Sequence, residues 1–292
     1  MDRPIRKPPW LKRPFPRAAG GAAVAGSLDR LGLFTVCQEA HCPNQGECFN
    51  RGTATFLLLG PRCTRACTFC AVQKGPPRPP DPDEPRRVAR AARDLGLDYC
   101  VLTMVTRDDL ADGGAGQVAR TVRALRRLQP GLGVEVLVSD LGGGRSALET
   151  VLAAGPQVLN HNLETVPRLY GQVRPQADYR RSLELLARAA KADMVTKSGL
   201  MLGLGEEIGE VLAVMDDLRR AGCRILTLGQ YLAPSPDHHP VVRYLEPRQF
   251  EQLAVEARKR GFAAVASGPY VRSSYRAGHL YAQAHKSSEI SR

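Results

Sequence analysis

Residues 53–70 read T-A-T-F-L-L-L-G-P-R-C-T-R-A-C-T-F-C, an apolar run followed at once by three closely spaced cysteines. Residues 53–60 are short, apolar and bounded by glycine, which predicts a buried β-strand. Cys63, Cys67 and Cys70 then follow with the spacing C-x3-C-x2-C, so their thiols belong to the loop at the carboxyl end of that strand. In barrel folds of parallel strands, this end carries the reactive groups.

Three further cysteines precede the strand. Cys37, Cys42 and Cys48 have the spacing C-x4-C-x5-C, and six of the eight cysteines therefore lie within residues 37–70. A disulfide framework is one alternative, but the chain is long and lacks a secretory signal. Structural zinc is a second, with His41 as a fourth ligand, although zinc sites usually use C-x2-C pairs. A chance group of buried thiols is a third.

Iron–sulfur ligation fits the two cysteine triplets best, because cubane clusters take thiolates from closely spaced cysteines in irregular backbone. A triplet supplies three ligands and leaves one iron open to a reactant, as a catalytic zinc site leaves one position open. Cys100 and Cys223 stand alone in apolar segments, which predicts that they are core residues.

Strands and helices alternate in the rest of the sequence. Predicted strands cover residues 53–60, 98–104, 134–138, 158–160, 197–202 and 225–231, with a short seventh at 262–266. Predicted helices cover residues 84–95, 116–128, 146–154, 179–190, 206–221 and 246–260. This alternation predicts an α/β fold with a parallel sheet, and six βα units predict a partial (β/α)6 barrel that is open on one side.

Three regions are expected. Residues 1–50 form an amino-terminal extension with the first cysteine triplet, residues 51–267 the partial barrel, and residues 268–292 a carboxy-terminal extension. Both extensions are predicted to lie over the barrel mouth. Polar, glycine-rich segments follow five of the strands, which predicts a pocket at the carboxyl ends of the strands. These segments are residues 103–109, 139–140, 160–164, 203–206 and 230–231.

The motifs resemble those of one family, the lipoyl synthases of the radical S-adenosylmethionine (SAM) superfamily. C-T-R-A-C-T-F-C (63–70) is similar to the SAM-cluster motif of that family, and C-Q-E-A-H-C-P-N (37–44) with Cys48 to its auxiliary-cluster motif. One departure is His41, where the family pattern has a small residue. Other similar blocks are V-T-R-D-D-L (105–110), N-H-N-L-E-T-V (160–166), Q-V-R-P (172–175), T-K-S-G-L-M (196–201), T-L-G-Q-Y-L (227–232) and G-P-Y-V-R-S-S-Y (268–275).

The resemblance implies a partial barrel of the radical SAM type, with two 4Fe–4S clusters and SAM as cofactors. Cys63, Cys67 and Cys70 would hold the cluster that binds SAM through its open iron. Weaker candidates for contact with SAM or the reacting chain are Phe69, Asn162, Glu164, Lys197, Gly203, Gly205 and Gln230, of which Gln230 is expected at the adenine.

The auxiliary cluster is implied to be held by Cys37, Cys42 and Cys48, with Ser274 as the fourth ligand. An oxygen ligand suits iron less well than thiolate, so it can leave when the cluster is dismantled. Ser273 is the alternative ligand, and both serines could instead only cap a turn.

The reaction implied is the insertion of two sulfur atoms into a protein-bound octanoyl-lysine. A 5′-deoxyadenosyl radical from SAM removes hydrogen at C6 and C8, and the auxiliary cluster supplies the sulfur. Ser274 and Arg272 are the catalytic candidates. The partners implied are octanoylated lipoyl-carrier domains (of 2-oxoacid dehydrogenases or of glycine cleavage) and an electron donor such as ferredoxin or flavodoxin. Other radical SAM sulfur-inserting enzymes, of the biotin synthase or tRNA methylthiotransferase kind, are the nearest alternatives.

Charge and composition limit the partners. The net charge is +12, of which residues 1–20 contribute +5. A basic nucleic-acid-binding protein with structural metal is the alternative from another class, but one Trp and 5% aromatic residues give little material for base stacking. No nucleic acid, no membrane, a cytoplasmic location and a monomer are expected. The basic surface is expected to attract an acidic carrier domain.

Overall fold

A computed structural model describes residues 6–12, 21–40, 42, 44–50 and 55–289. The chain forms two compact units. In the described ranges, the amino-terminal unit contains residues 21–40, 42, 44–50, 55–66 and 71–159, and the carboxy-terminal unit contains residues 6–12, 67–70 and 160–289.

Strands and helices alternate through most of the chain. The strands are β1 (Phe34–Thr35), β2 (Thr55–Leu58), β3 (Arg62–Cys63), β4 (Gln73–Lys74), β5 (Tyr99–Met104), β6 (Gly133–Leu137), β7 (Val158–Asn160), β8 (Val195–Leu202), β9 (Ile225–Gln230) and β10 (Ala264–Gly268). The α-helices are α1 (Gly21–Arg30), α2 (Val36–Glu39), α3 (Gln45–Asn50), α4 (Glu84–Asp94), α5 (Ala115–Leu128), α6 (Arg145–Leu152), α7 (Tyr170–Val173), α8 (Tyr179–Lys191), α9 (Ile208–Arg220), α10 (Pro247–Lys259) and α11 (Ala277–Glu289). Short 3-10 helices cover Pro9–Leu11, Leu141–Gly143 and Pro167–Leu169.

The amino-terminal unit has the strand order β1-β2-β5-β6-β7. Strand β2 is buried along its whole length and pairs parallel to β5, with Leu57 opposite Thr103. Strand β5 pairs parallel to β6, whereas β1 is antiparallel to β2. Strands buried on both faces read as continuous apolar runs, which explains the sequence of β2. Helix α4 buries Val88 and Ala92 on one side, as an amphipathic helix on a sheet does.

The carboxy-terminal unit contains the parallel strands β8, β9 and β10, in that order. Helices α9 and α10 begin with capping boxes, in which the side chains of Glu207 and Glu246 accept from the first helical turn. Helix α11 packs Leu280 and Ala284 against Ile225 of β9. None of the helices in the described ranges is long and apolar enough to cross a membrane.

The α/β fold and the six βα units expected from the sequence are confirmed. Cys100 and Cys223 are fully buried, also as predicted. Strand β10 begins and ends two residues later than the predicted 262–266, and helix α11 was not predicted. Residues 53 and 54 of the first predicted strand lie outside the described residues. The division at residues 50 and 267, with extensions over a barrel mouth, stays a prediction.

Candidate active site

The chain leaves β2 through two consecutive left-handed residues, Leu59 (φ 71°) and Gly60 (φ 83°). The backbone N–H of Leu59 donates to both carboxylate oxygens of Glu84, at 3.0 and 3.2 Å. Gln117 also donates to Glu84, at 2.8 Å. Burial raises the pKa of Glu84 above its ordinary value. These bonds fix the turn that directs the chain into the cysteine loop, residues 63–70.

The first half of the cysteine loop is held in the amino-terminal unit. Cys63 is half-buried in β3, and its carbonyl accepts from the N–H of Gly75 at 3.1 Å. Both the N–H and the hydroxyl of Thr64 donate to the carbonyl of Thr106, at 3.1 and 3.0 Å. The Thr64 hydroxyl in turn accepts from the N–H of Asp108 at 3.1 Å. The loop is therefore tied to the segment that follows β5.

Arg65 is the buried side chain of this half-loop, with 6% of its surface exposed. Its Nε and Nη2 donate to Asp108 at 2.7 and 2.8 Å. Its Nη1 and Nη2 donate to Asp140 at 3.0 and 2.7 Å. Although burial alone would lower it, the two carboxylates raise the pKa of Arg65 above its ordinary value.

The second half of the loop is held in the carboxy-terminal unit. The N–H of Thr68 donates to the carbonyl of Val173 at 3.0 Å, and the Thr68 hydroxyl donates to the carbonyl of Gln172 at 2.9 Å. The N–H of Cys70 donates to the carbonyl of Cys67 at 3.3 Å, which closes a tight turn. Both cysteines are half-buried.

Two histidines after β9 contact the same segment. The N–H of His239 donates to the carbonyl of Thr68 at 2.9 Å. Nε2 of His238 lies 3.2 Å from the carbonyl oxygen of Cys70, and its Nδ1 lies 2.8 Å from the Ser235 hydroxyl. Since a carbonyl only accepts, His238 carries a proton on Nε2. Phe69 lies half-buried in the turn between Thr68 and Cys70.

Asn162 and Glu164 follow β7 and face each other. Nδ2 of Asn162 donates to Glu164 at 3.0 Å, while the buried Oδ1 of Asn162 has no hydrogen-bond partner among the described residues. Glu164 has a left-handed backbone (φ 65°), a strained conformation that is concentrated at functional sites. Burial raises the pKa of Glu164, and the charges of Arg174 and Arg272 oppose that rise. This acceptor beside a half-buried carboxylate suits a polar ligand with N–H or O–H donors.

Arg174 supports this pair. Its Nη1 donates to the carbonyls of Asn162 and Leu163 at 3.0 and 2.9 Å, and to the Tyr170 hydroxyl at 3.2 Å. Burial alone would lower the pKa of Arg174, but the charges of Tyr170, Glu164 and Cys67 raise it. Arg174 is thus a cation close to one cysteine of the loop.

Strand β8 contributes Lys197, whose side chain is fully buried. Two residues along, Gly199 leaves room for Asn162, since a Cβ at Gly199 would lie 2.9 Å from Oδ1 of Asn162. Burial of Lys197 is as expected for a pocket residue, and its ligand contact stays a prediction.

The loop after β8 is shaped by Glu206, which is 2% exposed. Its carboxylate accepts from the N–H groups of Gly203 at 2.7 Å and Leu204 at 2.9 Å. Gly203 and Gly205 have φ values of 102° and 114°, which side chains rarely adopt. A Cβ at Gly203 would also collide with the side-chain amide of Gln230. The glycines are therefore required by the backbone itself.

Gln230 makes internal hydrogen bonds with both ends of its side-chain amide. Its Nε2 donates to the carbonyls of Leu202, Tyr231 and Arg243 at 2.9 to 3.1 Å. Its Oε1 accepts from the N–H of Leu245 at 2.9 Å. An adenine contact through Nε2, which stays a prediction, would have to replace one of these bonds.

The auxiliary cysteines lie in and after short helices of the amino-terminal unit. Cys37 is buried in α2, and burial raises its pKa to about 11. The N–H of Cys42 donates to the carbonyl of Cys37 at 3.0 Å, and the N–H of Cys48 in α3 donates to the carbonyl of Asn44 at 2.9 Å. His41 lies outside the described residues.

The carboxy-terminal motif forms a turn after β10. The N–H of Tyr275 donates to the carbonyl of Arg272 at 2.9 Å, and Ser274 is half-buried inside this turn. The turn packs closely on β9, because a Cβ at Gly229 would collide with the carbonyl oxygen of Val271. Together with the electrostatic attraction between Arg272 and Glu164, this packing brings the motif toward the residues that follow β7.

None of the eight cysteines, all of which the structure describes, forms a disulfide. Within the part of the chain that the structure describes, no three Cys, His, Asp or Glu side chains are grouped closely enough to hold a metal ion. Ligand sets rarely form before the metal binds, so the two triplets are judged on their donor chemistry. Two sets of three closely spaced thiols, carried on short elements and the loops between them, fit 4Fe–4S clusters. The assignment of the individual ligands stays a prediction.

Several residues that shape the site were not singled out from the sequence: Arg65, Arg174, Glu206, His238 and His239. Asp108 and Asp140 lay in segments predicted to follow strands, but their common partner was missed. The sequence offers one signal for this contact, the position of Arg65 between two cysteines. A charged side chain that is buried there needs a partner of opposite charge.

Comparison with known proteins identifies close relatives. Residues 57–218 match the family model described as the Radical SAM superfamily. The chain is 59% identical to a lipoyl synthase of Trichlorobacter lovleyi, over 94% of this chain and 98% of the relative. It is 54% identical to a lipoyl synthase of Desulfotalea psychrophila, over 96% and 94% of the two chains. It is 50% identical to a lipoyl synthase of Mycobacterium bovis, over 98% and 92%.

Solved structures with a similar fold are more distant. A maturase of the FeFe-hydrogenase, HydG, superimposes with a TM-score of 0.59 at 16% identity, over 72% of this chain and 51% of that chain. Methylornithine synthase, PylB, superimposes with a TM-score of 0.56 at 14% identity, over 72% of this chain and 63% of that chain. At such low identity the likeness shows the α/β fold alone.

Proposed function

The chain belongs to the lipoyl synthase family of the radical SAM superfamily, and on that premise we propose that it inserts sulfur at C6 and C8 of a protein-bound octanoyl-lysine. The cysteine loop is the observation that carries the proposal. It follows a buried parallel strand, holds the spacing C-x3-C-x2-C, and has its backbone fixed by hydrogen bonds on both halves. A biotin synthase-like or tRNA-modifying activity has no comparable support, since the curated relatives compared are lipoyl synthases along nearly their full length.

We propose that Cys63, Cys67 and Cys70 hold a 4Fe–4S cluster with one iron open to SAM. The donor chemistry supports this, because three thiolates leave one position of a cubane free. When bound, the clusters and SAM supply the electron, the carbon radical and the sulfur that the reaction needs. The protein's own task is to bind these groups, orient them and exclude water.

Asn162 and Glu164 are proposed to bind SAM. Oδ1 of Asn162, which accepts from no described residue, can accept from a ligand N–H or O–H, and the Glu164 carboxylate can attract a cationic group. Arg174 holds the carbonyls of Asn162 and Leu163, and so the backbone that leads into Glu164, in place. Lys197, Phe69 and the backbone of Gly203 and Gly205 are proposed as further contacts.

Cys37, Cys42 and Cys48 are proposed to hold the auxiliary cluster, with Ser274 as its fourth ligand and Arg272 beside the reacting groups. The half-buried position of Ser274 in a turn packed on β9 supports a role beyond turn capping. The Ser274→Ala and Ser273→Ala variants separate the two serines. Loss of the auxiliary cluster signal only in Ser274→Ala is expected, and loss only in Ser273→Ala would reassign the ligand.

The partners are proposed from the family reaction. Octanoylated lipoyl-carrier domains are the substrates, and a small electron carrier such as ferredoxin or flavodoxin is the reductant. A cytoplasmic location is proposed with them.

An anaerobic single turnover tests the function. Reconstituted protein, SAM, a strong reductant and an octanoyl-lysyl peptide are mixed, and the peptide is followed by mass spectrometry. Gain of two sulfur atoms with release of 5′-deoxyadenosine is expected. Cys67→Ala is expected to abolish both products, whereas Cys100→Ala, which removes a core thiol outside the triplets, should retain them. Release of 5′-deoxyadenosine with an intact octanoyl chain would refute the substrate.

A further inference from the structure

Arg65 occupies an unusual position, between Cys63 and Cys67 in the sequence and away from solvent in the fold. Its side chain is 5% exposed, and its hydrogen bonds to described residues go to Asp108 and Asp140, at distances of 2.7 to 3.0 Å. A guanidinium has five N–H donors in a fixed plane, and four of the N–H groups of Arg65 donate to the two carboxylates. The cysteine loop thus contains a rigid, charged anchor.

The two carboxylates come from distant parts of the chain. Asp108 follows β5, 43 residues after Arg65, and Asp140 follows β6, 75 residues after it. Asp140 is itself fixed, because it is 1% exposed and accepts from the N–H of Gly142 at 3.2 Å. One side chain therefore joins the loop to the carboxyl ends of two neighbouring parallel strands.

The energetics of this ion network explain why it constrains the loop. Breaking one side of a buried ion pair leaves an unpaired charge in a poorly solvated place, which is strongly unfavourable. Lys cannot replace Arg here, because an ammonium group is a point charge without the planar fork that binds two carboxylates at once. A movement of the backbone at residue 65 that is too large for the side-chain torsions to absorb would have to break several of these bonds together.

We propose that Arg65 is a positioning residue for the cluster: through its bonds to Asp108 and Asp140 it fixes the backbone between Cys63 and Cys67 before iron binds. It does not touch the cluster and acts through the loop that carries the ligands. Partners of metal ligands commonly have this effect, and their loss weakens metal binding about 10- to 100-fold. The inference rests on the proposed function to the extent that it takes Cys63, Cys67 and Cys70 as ligands.

Iron retention in the absence of substrate tests this role. The full chain with Cys37→Ala, Cys42→Ala and Cys48→Ala keeps only the proposed SAM cluster, which is reconstituted anaerobically. Loss of its iron to a chelator is then followed by absorbance for the parent, Arg65→Lys and Arg65→Gln. Both variants are expected to lose iron about ten-fold faster than the parent. An Arg65→Lys chain that keeps iron as the parent does would overturn the proposal, because charge alone would then suffice.

A second arginine provides the matched control. Arg260 also joins two carboxylates, donating to Asp216 at 2.9 Å and to Glu256 at 2.7 Å, but it lies after α10, away from the cysteine loop in the sequence. Arg260→Lys is expected to leave iron retention unchanged. Equal acceleration in Arg260→Lys would show a general loss of stability and overturn the positioning role.

Hydrogen exchange in the cluster-free chain provides a readout that does not need iron. The amide of Thr64, which donates to the carbonyl of Thr106, is expected to exchange faster in Arg65→Lys while the amides of α10 keep their protection. Unchanged exchange at Thr64 would contradict fixing of the loop before iron binds. If the parent chain bound no iron, both the cluster assignment and the role of Arg65 would be overturned. If the octanoyl peptide did not react, only the proposed substrate would be refuted.

Discussion

Gly229 shows how one missing side chain positions the carboxy-terminal motif. It pairs with Gly268 across β9 and β10, and the backbone of Val271, which leads into the Arg272–Tyr275 turn, lies directly over it. The two paired glycines differ in their surroundings. A Cβ at Gly229 would collide with the Val271 carbonyl oxygen, whereas a Cβ at Gly268 would lie 3.6 Å from the Val271 side chain, an ordinary contact.

Gly229→Ala is therefore expected to displace the turn and lower the rate of sulfur insertion. A displacement of reacting groups by about 1 Å commonly lowers a rate by about 100-fold. The single-turnover rate on octanoyl-lysyl peptide measures the effect, and Gly268→Ala is the control with a nearly unchanged rate. Equal rates in the two variants would mean that the position of the turn does not matter to the reaction.

The buried carboxylate of Glu206 fixes the backbone of the loop that follows β8. Its two carboxylate oxygens accept from two backbone N–H groups of the loop. In this loop Gly203 and Gly205 adopt left-handed backbone conformations. In Glu206→Gln, an amide NH₂ would face one of these N–H donors. A buried donor without a partner destabilises a protein by about 1–3 kcal/mol.

We therefore expect Glu206→Gln to lower the free energy of unfolding by that amount, measured by urea denaturation. Glu251→Gln, an exposed position on α10, serves as the control and should stay within about 0.5 kcal/mol of the parent. A Glu206→Gln chain as stable as the control would show that the loop does not depend on the carboxylate.

The helices and strands show what local pattern predicts well and where it fails. Strands β5 and β7 to β9 and their helices follow the apolar periodicity of the sequence to within about two residues. Helix α11 is not predicted because it has few apolar residues and they form no clear helical pattern. Its burial depends on packing against β9 and β10, which are distant in the sequence. Strand β10 was placed early because Phe262 is apolar, while the pairing of Ala264 with Ile225 sets its real start.

The site follows the same division. The cysteine triplets and the polar segments after the strands are local patterns, and the sequence predicted them. The bonds of Arg65 to Asp140 and of His238 to Cys70 span 75 and 168 residues, and no local pattern indicates them. Gln230 was chosen for its position at a strand end, but its amide is used within the protein.

Acid should lower the free energy of unfolding of the protein, in part through the Arg168–Glu210 ion pair. The hydrogen-bonded Arg168 guanidinium holds the pKa of Glu210 at about 2, from an ordinary value of 4.5. A pKa that is lowered by folding contributes stability above the ordinary value, and this contribution is lost as the pH falls from about 4.5 toward 2. The urea midpoint of Glu210→Gln should therefore fall less steeply over this range than that of the parent. Parallel curves would contradict a role for the pair.

The net charge of +12 should influence the encounter with an acidic carrier. Electrostatic steering raises association rates and is screened by salt over about 10 Å at 0.1 M. The reaction rate at limiting carrier concentration should fall as salt rises, whereas the rate on a short octanoyl-lysyl peptide should change little. Equal salt dependence for the two substrates would contradict steering by the basic surface.

Because the eight thiols differ in burial, their reactivity can report how many of the proposed cluster ligands are bound to iron. Cys37, Cys100 and Cys223 are buried while the other five are half-buried, and burial raises the pKa of Cys37 to about 11 and that of Cys223 to about 12. Alkylating reagents attack thiolates, so they should modify the five half-buried cysteines of a cluster-free chain first. Ligands bound to iron are shielded. The mass distribution of briefly alkylated protein would therefore count how many of the five half-buried ligands are unprotected in each chain, and so separate partly loaded molecules that an average iron content cannot resolve.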